Sequence, residues 1–408
     1  MFIYTDIHHL CMLVTRDLKA EFDRALSVFK MVALVGARQS GKTTFLKHEM
    51  VGRSANYVSL DDVEKVRLFE RNVKQFELLH IKGHDFTILD EVQNCEEAGP
   101  KLKYLVDTGR RLWVTSSSEV VLSKDVLAHL VGRVAILRLY PFNLREFLEA
   151  RGERGIIPMV LERMVWEHMT FGGYPEAILT DDRASKRSIL ASLHETMLLK
   201  DVSKTFSIEN LRGLQDLAMY LAAISGGIIR YDTVAADLKI MVPTLKKYLD
   251  ALEKSYMIFT VRPYSTNAVK EIVKQPKVYF LDTGLRNAVA DEFKPDVEGR
   301  QFENYILGEL VKMGFRPRYW RSKGGAEVDF IVQKGGQMIP IEVKLRSDRE
   351  KVGRGMRSFI DAYRVKSAFV VFYKGESGQL RVGGCRVAFT DVLGLWDKLG
   401  GRPYPDGK

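Results

Sequence analysis

The sequence predicts an α/β protein: a doubly wound parallel sheet at the N-terminal end, a helical middle, and a second α/β domain at the C-terminal end. Three observations predict it. An apolar run, MVALV, enters a glycine-bearing turn and then a helical pattern between Met31 and Met50. Further apolar segments at Tyr57 to Leu60, Phe86 to Leu89, Leu112 to Thr115 and Val134 to Leu139 alternate with helical stretches, as strands covered on both faces do. Near the C-terminus, AEVDFIV and PIEVKL alternate polar and apolar residues on either side of the hairpin signal QKGGQ.

Composition sets the outer limits. A chain of 408 residues has the length of about two to four domains. With 46% hydrophobic and 28% charged residues it can bury several cores without disulfide staples. The net charge is +10, and residues 295 to 408 hold 21 Lys or Arg against 14 Asp or Glu, so most of the excess sits there and a polyanion is expected to dock there first. Cys11, Cys95 and Cys385 are far apart, with no CxxC pair and no zinc-finger spacing, which fits buried thiols in a reducing, cytoplasmic setting. No basic region precedes the apolar start and no run of 18 uncharged apolar residues occurs, so neither an export signal nor a membrane span is expected.

The turn after MVALV reads Gly36, Ala37, Arg38, Gln39, Ser40, Gly41, Lys42, Thr43, Thr44, a G-x-x-x-x-G-K-T between a strand and a helix. Glycines let such a loop wrap phosphates, which its N–H groups and the positive end of the following helix attract. Lys42 is expected to reach the β and γ phosphates of ATP, and Thr43 to hold magnesium. The flanking strand and helix argue against a chance glycine turn. FTILDEVQ then supplies Asp90 for the metal's outer shell and Glu91 to polarise a water. An apolar run ending in Asp-Glu is common alone, but its placement 48 residues after Lys42 makes the pair specific.

GARQSGKTT, LDEVQ, the SSS turn, LVGRV and LRLYPFNLREFL together resemble a prokaryotic family of AAA-type ATPases whose members carry a C-terminal domain of unknown function. The likeness continues through FGGYPE (Phe171 to Glu176), KVYFLDTGL (277 to 285), EVDF and IEVK, and so covers nearly the whole chain. It implies that a serine of 116 to 118 senses the γ phosphate, with Ser116 assigned here, although a serine-rich turn reads equally well. TSSS lacks the glycine expected among the serines, which leaves the individual serine open. The resemblance also suggests Arg133 as an arginine finger serving a neighbouring subunit, hence a homo-oligomer. An ordinary surface arginine is the rival reading, and Arg110, Arg111 and Arg138 are also available.

From Asn143 to about Leu214 the apolar residues recur at helical spacing, a helical lid that by resemblance closes over nucleotide. Residues 216 to 264 give three helical patterns and then YMIFTVRPY, read as an apolar strand pair forming a wing. In that winged helix, Val242 to Glu253 is the recognition helix, with Pro243 suited to its first turn and Lys246, Lys247 and Arg262 available to phosphates. Packing between domains is the alternative use of such a helix-turn-helix.

In AEVDFIV, Glu327 and Asp329 share one face, with Val328, Phe330 and Val332 on the other; in PIEVKL, Glu342 and Lys344 share a face opposite Ile341, Val343 and Leu345. Asp329 and Glu342 are expected to hold magnesium while Lys344 steadies the attacking or leaving oxygen. This D, then E-x-K, resembles the PD-(D/E)XK nuclease superfamily, and Glu303 on the preceding helix matches the extra acid of some members. Cross-strand ion pairs on a solvent face are the alternative. The domains expected are an ATPase core over 1–142, a lid over 143–215, a winged helix over 216–264, a linker and packing segment over 265–295 and a nuclease-like domain over 296–408. The function expected is magnesium-dependent ATP hydrolysis coupled to action on DNA; the alternative is an ATP-controlled DNA-binding or assembly switch without cleavage.

Overall fold

The computed structural model describes residues 14–117, 129–265, 274–347 and 351–400. Five parallel strands, β1 (Met31–Val35), β2 (Ala55–Ser59), β3 (Phe86–Asp90), β4 (Leu112–Ser116) and β5 (Val134–Arg138), form one sheet in the order β2-β3-β4-β1-β5. Every residue of β1 and β4 is buried, because helices cover both faces and leave no side of the strand for polar residues. Alternation still sorts the two faces. Val32, Leu34, Ile88 and Trp113 pack with Phe22 and Phe45, whereas Met31, Ala33, Leu89 and Val114 join Leu102 and Leu105 of the helix Ala98–Asp107. All parallel strands end at one edge, so Val35, Ser59, Asp90 and Ser116 come out together.

The chain leaves β5 through Leu139–Phe142 and begins the helix Leu144–Ala150 with a capping box, in which Asn143 accepts from the Glu146 N–H and Glu146 from the Asn143 N–H. The helices Pro158–Phe171, Pro175–Leu179 and Arg183–Thr196 follow, then Leu211–Ala223, Tyr231–Asp237 and Val242–Lys254. YMIFTVRPY contains one strand, not a pair. β6 (Ile258–Val261) pairs antiparallel with β7 (Lys277–Phe280), which comes from the segment expected to be linker. The four-residue run KVYF is too short to declare itself a strand without its distant partner. The helix Thr283–Ala290 follows β7 and packs on the helices Pro158–Phe171 and Arg183–Thr196.

The C-terminal part opens with the helix Gly299–Lys312, followed by β8 (Arg318–Arg321), β9 (Glu327–Lys334), β10 (Gln337–Arg346), the helix Arg354–Tyr363, β11 (Ser367–Lys374), β12 (Gly378–Val382), β13 (Cys385–Thr390) and the helix Val392–Leu399. The sheet order is β12-β13-β11-β10-β9-β8, with β10, β11 and β13 parallel to one another and the others antiparallel to their neighbours. Gly335 and Gly336, both at positive φ, turn the β9–β10 hairpin. One expected face is broken. Arg318 pairs with Ile331 but Trp320 with Val328, a register shift that puts Val328 in the cluster with Met356 while Phe330 and Val332 join the larger core that also holds Phe302 and Ile306. Such a bulge re-aims one side chain, and here it falls at Asp329.

Candidate functional site

The first site lies at the common edge of β1, β3 and β4. Gly36 has φ +156°, and a Cβ on it would stand 2.0 Å from the Leu139 carbonyl oxygen, so only glycine lets the loop leave β1 here. Gln39 and Gly41 also have positive φ, which turns the loop into the helix Lys42–Glu49. The Lys42 ammonium is buried and donates to the carbonyls of Gly36 (3.0 Å) and Ala37 (2.9 Å), folding back over the loop. Ser40 is fully buried, and its hydroxyl has no hydrogen-bond partner among the described residues. Arg38 is half-buried, while Gln39 and Thr44 are exposed.

Asp90 is the hub. Its carboxylate, 4% exposed, accepts from Thr43 Oγ1 at 2.9 Å, from the Tyr57 hydroxyl at 2.6 Å and from Thr115 Oγ1. Burial, and then the neighbouring Asp90 carboxylate, hold the Tyr57 phenol above its ordinary pKa, so it stays a donor. Glu91 takes a left-handed backbone (φ +61°); its N–H donates to Thr115 Oγ1 at 2.9 Å and its carboxylate accepts from Gln93 Nε2. The β4 residue that reaches the acids is therefore Thr115. Ser116 lies buried opposite Val35, Ser117 accepts from Gln93 at 3.1 Å, and Ser118 lies outside the described residues. Tyr57 carries no motif signal, and Thr115 and Gln93, although they stand within TSSS and LDEVQ, are not singled out there; the sheet order and the turn after β3 are what bring the three to the acids.

Arg16 was also invisible in the sequence. It is buried, and it donates to Ser40 O (2.9 Å), Tyr140 O (2.6 Å) and Glu146 Oε1 (3.0 Å), tying the phosphate loop to the strand exit and to the first helix beyond. Arg133 is exposed and pairs with Asp107 at 3.3 Å. It precedes Val134, which is paired with Met31 at the start of β1, so a full strand, about 15 Å, separates it from the loop of its own chain. Arg110 is held by Glu77 and Arg111 lies over the Phe86 ring, whereas Arg138 is paired with Val35 at the loop edge.

FGGYPE and LDTGL meet each other. A Cβ on Gly284 would lie 2.2 Å from the Phe171 carbonyl carbon, and one on Gly173 2.2 Å from Phe142 O. Asp282, buried, accepts from the N–H groups of Gly173 (2.7 Å) and Leu285 (2.9 Å); burial raises its pKa, with Lys312 opposing. His168 bridges Phe142 O and the Tyr305 hydroxyl, and burial drives its pKa well below the ordinary value, so it is neutral. Glu309, fully buried, accepts from Leu144 N and Trp396 Nε1. The exit of the N-terminal sheet is thus bonded directly to the C-terminal domain.

The second cluster lies on that domain. Asp329 accepts from Val343 N at 2.7 Å, and burial followed by the negative charge of Glu303 pushes its pKa up to about 7. Glu342 is buried; one carboxylate oxygen meets Lys344 Nζ at 2.7 Å and the other has no partner among the described residues. Glu303 is turned to Lys277 Nζ (3.2 Å) and the Tyr279 hydroxyl (2.5 Å), and Lys277 also pairs with Glu327 at 2.5 Å. A lysine from β7 therefore already supplies a cation to the acids. Among the described residues no group of three His, Cys, Asp or Glu is placed to share a metal ion. Residues of the expected recognition helix have local partners: Lys247 donates to Ser207 O at 3.1 Å, and Lys246 lies over the Tyr231 ring. Arg262 is exposed.

Among the described residues no helix is long and apolar enough to cross a membrane. Cys95 and Cys385 are free and buried, and burial pushes the Cys95 thiol up to about 12. Family models match three stretches: residues 28–148 match the AAA domain, 162–296 a domain of unknown function (DUF8612) and 298–390 a domain of unknown function (DUF4143). The chain is 27% identical to an uncharacterized protein of Mycobacterium tuberculosis, over 90% of this chain and 81% of that one. It is 27% identical to an uncharacterized protein of Methanocaldococcus jannaschii, over 74% and 72% respectively. A Walker-type ATPase of Pyrococcus abyssi aligns with a TM-score of 0.47 at 14% identity, covering 68% of this chain and 96% of that structure. The AAA-domain match falls on the five-stranded sheet and on the Lys42, Thr43 and Asp90 cluster, so the N-terminal part of this chain is similar to the AAA domain over the residues that build this site.

Proposed function

We propose that this domain hydrolyses ATP with magnesium and that the C-terminal domain acts on DNA under its control. The observation that carries the first half is the convergence of Thr43, Tyr57 and Thr115 on Asp90, with Glu91 next in the chain. The loop suits a polyphosphate: it runs into the N-terminal end of the helix Lys42–Glu49 and carries the Lys42 ammonium and the buried Ser40 hydroxyl, which has no partner among the described residues. Thr43 and Asp90 offer the hard oxygen donors that magnesium takes. Magnesium, when bound, spreads the negative charge of the β and γ phosphates. Glu91 accepts the proton of the attacking water; the new O–P bond forms as the bond to the bridging oxygen breaks, and ADP leaves with that electron pair. Lys42 neutralises charge on the transferred group, and the Thr115 hydroxyl links Asp90 to the Glu91 backbone.

On the C-terminal domain, Asp329, Glu342 and Lys344 are the candidates for a metal-dependent DNA cleavage site, with Glu303 and Glu327 beside them. A second reading, ATP-controlled DNA binding or assembly without cleavage, is favoured by one specific contact: Lys277 occupies Glu303 and Glu327. Incubation with labelled single-stranded, duplex and branched DNA, with magnesium or manganese, with and without ATP, separates them. The cleavage reading expects cutting that Asp329→Ala and Glu342→Ala abolish while ATP binding persists. Variants that cut like wild type would refute the assigned site, and a wild type that cuts none of these substrates leaves the switch as the function.

A further inference from the structure

The geometry points to a groove on the C-terminal domain that takes the phosphodiester backbone of DNA; it rests on the DNA-directed reading above and says where that partner docks. A cavity of about 630 Å³ opens between the end of β10 and the helix Arg354–Tyr363, floored by Val370 and Phe389. Its rim is basic. Lys344 and Arg346 come from β10, Lys351 from the following segment, and Arg354 and Arg357 from one side of the helix, against a single lining acid, Asp361. Arg346, Lys351, Arg354 and Arg357 are all exposed, and among the described residues neither Arg346 nor Arg354 is held by a carboxylate. Arg357 Nε donates to Val352 O at 3.0 Å, so it is Arg346 and Arg354 that provide the planar, bidentate donors that phosphate oxygens take.

Glu342 lies behind the wall of the groove. It packs against Gly353, a lining residue on which a Cβ would stand 2.2 Å from Glu342 Oε1, and it pairs with the lining Lys344 at 2.7 Å. A backbone lying along the arginines therefore passes Lys344 with one phosphate nearest to it. The helix Val242–Lys254 is the weaker dock. Its Lys247 is held by Ser207 O, its Lys254 by Asp250 at 2.6 Å, and Asp250 adds negative charge to the same helix.

The test uses the full chain with chelator present, fluorescein-labelled duplex and single-stranded DNA, and a series of salt concentrations. Loss of two phosphate contacts flattens the salt slope on duplex by about 1.8, which is about 30-fold in affinity at 0.15 M salt. Arg346→Ala with Arg354→Ala is expected to show that change with ATP turnover untouched, and the double Lys substitution at the same positions is expected to restore most of the slope. Lys246→Ala with Lys247→Ala is expected to bind like wild type. An unchanged slope in the arginine variant overturns the groove, as does a loss that appears in the lysine 246 and 247 variant instead. Tighter binding of RNA of equal length overturns DNA as the occupant. A wild type that binds no DNA overturns the DNA reading itself.

Discussion

Replacing Asp329 by Asn tests whether the C-terminal acidic cluster holds charge against the preference of its surroundings. The Asp329 carboxyl is pushed from the usual 3.8 up to about 7 by burial first and by Glu303 next. Between those two values the unfolded chain carries the ionised carboxylate while the folded chain keeps it protonated, so stability falls as pH rises through this window and levels off above about 7. At about 1.4 kcal/mol per pKa unit, the ionised group costs at most about 4 kcal/mol at pH 8 and about 1.6 kcal/mol at pH 5. Asn removes the charge yet still accepts the Val343 N–H that Asp329 Oδ2 accepts at 2.7 Å. Thermal unfolding in chelator should therefore show Asp329→Asn gaining stability over wild type, with a clearly larger gain at pH 8 than at pH 5. An equal shift at both pH values would refute the reasoning, because it would mean that Asp329 ionises in the fold as it does in the unfolded chain.

Two further outcomes follow from the geometry. Gly284→Ala brings a methyl within 2.2 Å of the Phe171 backbone, which cannot swing away, and should cost about 1–3 kcal/mol, whereas Gly299→Ala, with nothing within 4 Å, should be neutral; thermal melts compare them. Arg133→Ala should keep ATP affinity but lose turnover, and mixing it with Glu91→Gln subunits should restore part of the activity, because a mixed interface pairs an intact Glu91 with an intact Arg133. Normal turnover by Arg133→Ala alone would leave Arg133 as a surface partner of Asp107.

The first sheet was legible because parallel strands covered on both faces read as plain apolar runs, and because the phosphate loop is one contiguous motif. Asp90 and Glu91 were legible for the same reason: they end such a run. Thr115 and Tyr57 were not, since they reach Asp90 only through the sheet order, across 25 and 33 residues of sequence. Arg16 is a lone arginine whose three acceptors lie on other elements. In the C-terminal domain the alternation of PIEVKL gave Ile341 to the core and Glu342 and Lys344 to the other face. In EVDF the register shift separated Val328 from Phe330, and no period-two reading shows a bulge. The pairing of Lys277 with Glu303 and Glu327 depended on β7, which was legible only once β6 had a partner.

The central claim is that the Lys42, Thr43, Asp90 and Glu91 site turns ATP over. Its most direct measurement compares nucleotide binding and phosphate release in purified wild type, Lys42→Ala and Glu91→Gln with magnesium present. Lys42→Ala should lose nucleotide affinity and turnover together, while Glu91→Gln should bind ATP like wild type and release phosphate at least about 100-fold more slowly, the contribution of a positioned general base. Wild-type turnover in both variants, once contaminating ATPases are excluded, would contradict the account.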